Sequence, residues 1–140
     1  MRKLIAIFIF FIIHIQSIYA ETCPSISDIK KGKLHTWQLH DSESHQLLSA
    51  KHLEQFKKYA QQFTLAEWHK NNNQQNSLRC YYRDWNGSEA RAYLAKNNFR
   101  PHLAKNSWYS VSGSMHCAAG LKNCTFQHTK PSPQLARNGK

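Results

Sequence analysis

Four cysteines in a short chain are the feature that most constrains how this sequence can fold. They are Cys23, Cys80, Cys117 and Cys124, and the chain has 140 residues. An even number of cysteines in a small exported protein indicates disulfides rather than free thiols. Four cysteines allow three pairings. We favour Cys117 with Cys124, because Gly120 lets the short loop turn back, and this leaves Cys23 with Cys80.

The N-terminal segment indicates export. Arg2 and Lys3 give it a cationic start, residues 4–18 are almost wholly apolar, and Ala20 is a small residue suited to cleavage. This pattern predicts a secretory signal peptide over residues 1–20. An uncleaved N-terminal anchor is the alternative. No later stretch is apolar for long enough to cross a bilayer, so the sequence predicts a periplasmic or secreted protein.

Positive charge is the strongest compositional signal. The chain carries 19 Lys and Arg against 8 Asp and Glu, a formal net charge of +11. Removal of Arg2 and Lys3 with the signal peptide still leaves 17 basic residues against 8 acidic ones. Such a charge attracts nucleic acid, anionic lipid or an acidic protein. No run exceeds two consecutive basic residues and no nucleic-acid-binding motif is present, so specific nucleic-acid binding is not expected.

One amphipathic helix is the clearest periodic signal. Leu53, Phe56 and Ala60 recur at spacings of three and four residues, and Phe63 continues the pattern. This spacing places them on one face of a helix, and Ser49 is its natural N-cap.

The rest of the chain favours strands. Residues 78–83 alternate, and Asn86-Gly87 then supplies a hairpin-type turn. Residues 89–96 have helix propensity but follow that turn, so we interpret them as a strand. Residues 64–69 either extend the helix or begin a strand. Two further strands are expected at residues 34–39, around Trp37, and at residues 108–111.

These elements predict an α+β fold. We expect a small single domain over residues 21–128, with a short antiparallel sheet of about four strands, one main helix and two disulfides. Residues 129–140 are expected to form a flexible basic tail. The apolar positions of these elements give the expected core: Trp37, Leu53, Phe56, Phe63, Trp68, Leu78, Tyr82, Trp108 and Phe126.

Basic and aromatic side chains give the candidate binding residues. We expect two lysines on the polar side of the helix, and two arginines on the strand face opposite Leu78 and Tyr82. Exposed aromatic side chains beside them suit contact with a ligand or protein. The candidates are Lys57, Lys58, Arg79, Arg83, Tyr81, Trp85 and Tyr109.

Histidine is the second abundant ionisable residue, since eight of the nine histidines follow residue 20. No His-Glu-x-x-His or Cys-x-x-Cys arrangement occurs, so no metal site and no cofactor is expected. A small basic exported protein with several histidines is also compatible with a ribonuclease, in which two imidazoles exchange protons and a lysine stabilises the phosphate. His40, His116 and Lys122 are candidates by residue type alone, and no catalytic residue is assigned.

Short motifs spread over most of the mature chain give a resemblance. They are Cys23-Pro24-Ser25, Ala66-Glu67-Trp68, Cys80-Tyr81-Tyr82, Trp108, Cys117-Ala118-Ala119-Gly120 and Cys124-x-Phe126. In these pieces the chain resembles a family of short exported bacterial proteins, catalogued as a domain of unknown function. The resemblance implies a small exported bacterial domain, and it implies no catalytic residues.

The sequence favours a binding module over an enzyme. Our leading hypothesis is an exported interaction protein whose basic face and aromatic side chains engage an anionic or protein partner outside the cytoplasm. One alternative is a small secreted hydrolase, a ribonuclease-like phosphodiesterase. The other is an envelope-associated structural protein.

Overall fold

The structure is a computed structural model, and it describes residues 20–70 and 76–129. The predicted signal peptide (residues 1–20) and the predicted tail (residues 129–140) therefore lie almost wholly outside the described residues. The same holds for most of the polar segment between residues 70 and 76.

The chain forms two α-helices, a short 3-10 helix and eight strands within the described ranges. The helices are α1 (Ile26–Lys30), α2 (Ala50–Tyr59) and the 3-10 helix (Leu103–Lys105). The strands are β1 (Gln38–Asp41), β2 (Gln62–His69), β3 (Ser77–Arg83), β4 (Glu89–Asn97), β5 (Phe99–Pro101), β6 (Tyr109–Val111), β7 (Ser114–Cys117) and β8 (Phe126–His128).

Six of these strands form one antiparallel sheet in the order β1-β4-β3-β2-β7-β6, and β5 pairs with β8 in a two-stranded sheet. The strands β2, β3 and β4 follow one another as neighbours, which short connections allow. Strand β1 joins the outside of β4, and β7 joins the outside of β2. The domain is therefore α+β and mostly sheet, with more strands than the four that the sequence predicts.

The helices cover one face of the sheet, and this face holds the core. Along β3 the side chains of Leu78, Cys80 and Tyr82 are fully buried, because alternate residues of a strand point to the same side. The ring of Phe56 on α2 packs edge-on against Tyr82, with ring centroids 5.7 Å apart. The hydroxyl of Tyr82 donates a hydrogen bond to the carbonyl of Pro24 at 2.7 Å.

The predicted disulfide pairing is confirmed. Cys23 pairs with Cys80, and Cys117 pairs with Cys124, with Cα–Cα separations of 5.9 Å and 5.5 Å. The first bond fastens the N-terminal segment to the centre of the sheet. The second closes a loop in which Gly120 adopts a φ of +91°, a conformation that glycine takes without strain.

The predicted core also agrees with the structure. Five of the nine residues are buried, and the other four are partly buried against them. The buried ones are Phe56, Leu78, Tyr82, Trp108 and Phe126, and the partly buried ones are Trp37, Leu53, Phe63 and Trp68.

Element boundaries differ from the prediction at two places. The strand expected over residues 34–39 begins only at Gln38, because the N–H of Trp37 donates to the carbonyl of Leu34 in a turn. The helix ends before Phe63, because Ala60 has an extended ψ of 120° and the next residue pairs with β3. Residues 64–69 are therefore strand rather than helix, and residues 89–96 are a strand as predicted.

Candidate functional site

The sheet face away from the helices carries most of the ionisable side chains in the centre of the fold. Since Leu78, Cys80 and Tyr82 face the core, Arg79 and Tyr81 face the other way. Strand register then places one residue from each strand in a row across this face. From one edge to the other the row is Gln38, Ala95, Arg79, Glu67, His116 and Tyr109. We call this side of the sheet the open face.

Glu67 is the centre of a cluster on the open face. Its Oε2 accepts a hydrogen bond from the Tyr81 hydroxyl at 2.7 Å. Its Oε1 lies 2.7 Å from Nε2 of His69 and 3.2 Å from Nε2 of His116. The His69 contact is close but lacks hydrogen-bond geometry, since Nε2 has no hydrogen-bond partner within the described chain. We call Glu67, His69, Tyr81 and His116 the carboxylate cluster.

This environment keeps the Glu67 carboxyl ionised. Partial burial on its own raises the pKa of Glu67, but the Tyr81 hydrogen bond and the charges of His69, His116 and Arg79 outweigh it and lower the pKa below the ordinary value. Burial and the bond to Glu67 raise the pKa of Tyr81, so its hydroxyl stays a donor. The cluster therefore presents a carboxylate between two imidazoles.

The hydrogen bonds of His116 indicate which of its nitrogens carries a proton in the neutral ring. The Ser114 hydroxyl donates to the carbonyl of Val111 at 2.9 Å, which uses its one hydrogen. Its oxygen lies 3.0 Å from Nε2 of His116, so Nε2 is the donor in that contact. This leaves Nδ1 of His116 as the basic nitrogen.

The same contacts exclude a serine nucleophile here. In a Ser-His-acid triad, the serine and the acid contact different nitrogens of the imidazole. In this cluster Ser114 and Glu67 both contact Nε2 of His116. Ser114 is also buried, with 6% of its surface exposed.

A groove of about 560 Å³ adjoins the carboxylate cluster on the open face. Tyr93 lies at its base, where the ring of His40 stacks on it and the ring of His45 lies beside it. Arg79 lines the groove and faces Glu67 across the β2–β3 pair. The groove is lined by Thr36, Gln38, His40, His45, Ser77, Arg79, Tyr93, Ala95, Lys96, Asn97, Phe99 and His128, and we call it the basic groove.

The described lining of the basic groove has basic side chains and no acidic ones. It includes an arginine, a lysine and three histidines. The Lys96 ammonium is paired with Glu21 at 2.9 Å, but the Arg79 side chain has no carboxylate contact of this kind in the described chain. The Arg79 guanidinium carbon lies 5.0 Å from the centroid of the Tyr93 ring.

Among the residues that line the groove, Arg79 most clearly indicates a bound ligand. Its Nε is buried and has no hydrogen-bond partner among the described residues. Buried N–H groups in folded proteins nearly always have an acceptor, and an unpaired one is costly. Arg79, whose side chain lines the groove, therefore has a buried charged donor without an acceptor in the described chain.

A second groove, on the side of α2, has the opposite character. It has a volume of about 440 Å³, and its described lining has three carboxylates, Asp41, Asp84 and Glu89, against one arginine, Arg91, and one histidine, His52. Backbone and side-chain hydrogen bonds from Ser44 lower the pKa of Asp41. This groove does not suit an anion.

The predicted binding residues do not form one surface. Lys57 and Lys58 lie on α2, which packs on the other side of the sheet, and Lys57 is paired with Glu54 at 2.6 Å. Arg83 ends β3, where its Nε donates to Gln62 at 2.9 Å.

The predicted aromatic residues are also divided. Trp85 is 79% exposed at the β3–β4 turn, away from the basic groove. Tyr109 is exposed on β6, beside His116, with ring centroids 6.1 Å apart. Tyr81, expected to be exposed, is only partly exposed and bonds with Glu67. The open face thus unites Arg79, Tyr81 and Tyr109.

The ribonuclease candidates His40, His116 and Lys122 are not brought together. Strands β1 and β7 are four neighbours apart in the sheet, which separates His40 from His116 by about 19 Å at the usual strand spacing. Lys122 lies in the exposed loop between the paired Cys117 and Cys124.

Sequence reasoning missed Glu67, His69 and Tyr93. The signal that identifies the first two is their spacing of two residues, which puts both on one face of a strand. Residues 64–69 were open between helix and strand from the sequence alone, so no face could be assigned to them. Tyr93 required the register of β4.

Comparisons with known proteins identify no relative of this chain. The chain matches no protein-family model, no curated protein and no solved structure. Its resemblance to a family of exported bacterial proteins stays a prediction. No group of three or more His, Cys, Asp or Glu side chains in the described part of the chain is arranged to hold a metal ion.

Proposed function

We propose that the protein is an exported binding module that holds an anionic partner in the basic groove. The observation that carries this proposal is the buried Nε of Arg79, which has no acceptor among the described residues. A phosphate or carboxylate oxygen bound against Arg79 supplies that acceptor once the side chain shifts to bring Nε to the groove surface, and a charge-assisted bond of this kind is stronger than a neutral one.

The surroundings of Arg79 support an anion over a neutral ligand. The described lining of the groove has no carboxylate, and the sequence is strongly basic. The half-buried ring of His40, stacked on the buried Tyr93, and the exposed ring of His45 add flat surface for an aromatic group of the partner. A partner that uses both the positive charge and the ring surface is a chain of phosphates that carries aromatic bases.

The disulfides support a place outside the cytoplasm. Two disulfides in a domain of this size indicate an oxidising compartment. No helix among residues 20–70 and 76–129 is long and apolar enough to cross a membrane. Export through the predicted signal peptide is part of the proposal.

Binding of a labelled single-stranded DNA oligonucleotide to residues 21–140, followed by fluorescence anisotropy, tests the proposal. DNA supplies phosphates and bases, and we expect binding that weakens steeply as salt is added. Arg79→Met keeps an unbranched apolar side chain in place of the arginine stem and removes the charge and the donors. We expect it to weaken binding by about 10-fold or more, as loss of a charge-assisted bond requires.

Lys58→Met is the matched control, because it removes one positive charge from α2 on the other side of the sheet. We expect it to change the Kd by less than about twofold. Equal weakening by the two variants would show that overall charge, rather than the groove, binds the anion. Absence of binding by the unsubstituted protein would reject the proposal.

A further inference from the structure

The carboxylate cluster has the parts of a proton-transfer site, and it lies next to the groove that we propose binds an anion. We infer that the protein cleaves single-stranded RNA at this place, with His116 and His69 as its acid–base pair. The inference rests on the proposed function, since it takes the RNA phosphate to be the anion that Arg79 binds.

Geometry supports the two imidazoles as partners. Both approach the same carboxylate oxygen, at 2.7 Å and 3.2 Å, and so lie together on one side of the sheet, where both side chains are partly exposed. General acid–base cleavage needs one group to accept a proton and another to donate one. His116 fits the base, because its Nε2 donates to Ser114 and its Nδ1 is left to accept. His69 is then the acid.

The chemistry points to RNA because the cluster has no nucleophile of its own. Ser114 does not have the geometry of a nucleophile, and all four cysteines are in disulfides. A substrate that carries an internal nucleophile removes the need for one. RNA does so, since its 2′-hydroxyl lies next to the phosphate.

Cleavage of the RNA chain needs no cofactor. Nδ1 of His116 takes the proton of the 2′-hydroxyl, and the 2′-oxygen forms a bond to phosphorus. The bond from phosphorus to the 5′-oxygen of the next nucleotide breaks, and His69 gives that oxygen a proton. The products are a 2′,3′-cyclic phosphate and a 5′-hydroxyl. Arg79 holds the phosphate, and stabilises the charge that builds up on it.

Glu67 acts as a positioning residue. It contacts both imidazoles and is itself held by the Tyr81 hydroxyl. Glu67 lies beside Arg79 in the row across the open face, so its negative charge is near the phosphate that we propose Arg79 binds. Removal of that charge therefore affects cleavage and anion binding in opposite directions.

The test compares a labelled RNA with DNA of the same sequence, using residues 21–140. DNA lacks the 2′-hydroxyl, so we expect it to bind and to stay intact, while the RNA is cut to products that end in a 2′,3′-cyclic phosphate. His116→Gln and His69→Gln should each slow cleavage by about 100-fold or more. His52→Gln, exposed on α2, is the matched control and should cleave at the normal rate.

Glu67→Gln separates positioning from a merely structural role. We expect it to lower kcat while DNA binds equally or more tightly, because a negative charge near the phosphate is gone. A structural role would weaken both. Thermal unfolding of each variant shows whether it is folded.

Three outcomes would overturn the inference. If DNA binds but RNA stays intact, the binding proposal survives and the cleavage proposal fails. If His116→Gln and His69→Gln both cut RNA at the normal rate, the activity belongs to a contaminant. If neither nucleic acid binds, both proposals fail.

Discussion

The two faces of the sheet are built from different chemistry on the same strands. On β3, Leu78, Cys80 and Tyr82 are fully buried under the helices, while Arg79 and Tyr81 between them carry charge and hydroxyl groups to the open face. The helix face stabilises the fold through apolar burial and a disulfide. The open face contributes little to the core, so its polar and charged side chains are available for function. We expect substitutions on the two faces to separate stability from binding.

The largest expected effect is on the helix face, at the disulfide between Cys23 and Cys80. It closes a loop across a sequence separation of 57 residues, against 7 for the pair Cys117 and Cys124. On the chain-entropy relation, replacing Cys23 and Cys80 by Ala costs about 4 kcal/mol, and replacing the other pair costs about 2.5 kcal/mol. Urea unfolding of the two double variants measures the difference. Equal losses would show that the long loop does not govern the effect.

The next comparison uses two neighbouring residues of β3. Leu78→Ala deletes a fully buried side chain on the helix face, and we expect a loss of about 3 kcal/mol. Arg79→Met removes a cation packed on Tyr93 on the open face, and we expect a loss of about 1 kcal/mol or less. Thermal and urea unfolding check both values. A larger loss for Arg79→Met than for Leu78→Ala would contradict the division of roles between the faces.

The smallest expected effect is the contribution of Glu67 to the pH dependence of the free energy of unfolding. Its pKa in the folded protein is lowered from 4.5, so the unfolded chain takes up the proton first as the pH falls. The stabilisation is fully present above that ordinary value, and it is lost as the pH falls through the lowered pKa of the folded protein.

Comparison with Glu67→Gln isolates this contribution, because the amide does not titrate. Over a urea-unfolding series from about pH 6 to pH 3, the unsubstituted protein should lose stability relative to the variant. A difference that stays constant across this range would show that the contacts of Glu67 do not lower its pKa.

The helix face was predictable because its signals are local. The spacing of Leu53, Phe56 and Ala60 marks the buried side of α2, and alternation from Leu78 to Tyr82 marks that of β3. The pairing of the four cysteines followed from loop length and one glycine. These signals need no knowledge of strand order.

The open face could not be predicted because it depends on register. Glu67 meets His116 only because β7 pairs with β2 in one register, and a slip of one residue would turn His116 to the other face. The row from Arg79 to His116 spans strands whose order differs from their order in the chain. Sequence reasoning therefore found the types of residue but grouped distant ones, such as Lys58 with Arg79 and His40 with His116.

The most direct test of anion binding in the basic groove is an NMR titration of labelled residues 21–140 with a single-stranded DNA oligonucleotide. The side-chain Nε–H resonance of Arg79 reports on a buried donor that lacks an acceptor within the described residues. We expect this resonance to shift most, together with amides of β1, β3 and β4 that line the basic groove. Shifts confined to α2 around Lys57 and Lys58, with Arg79 unchanged, would contradict binding in the basic groove.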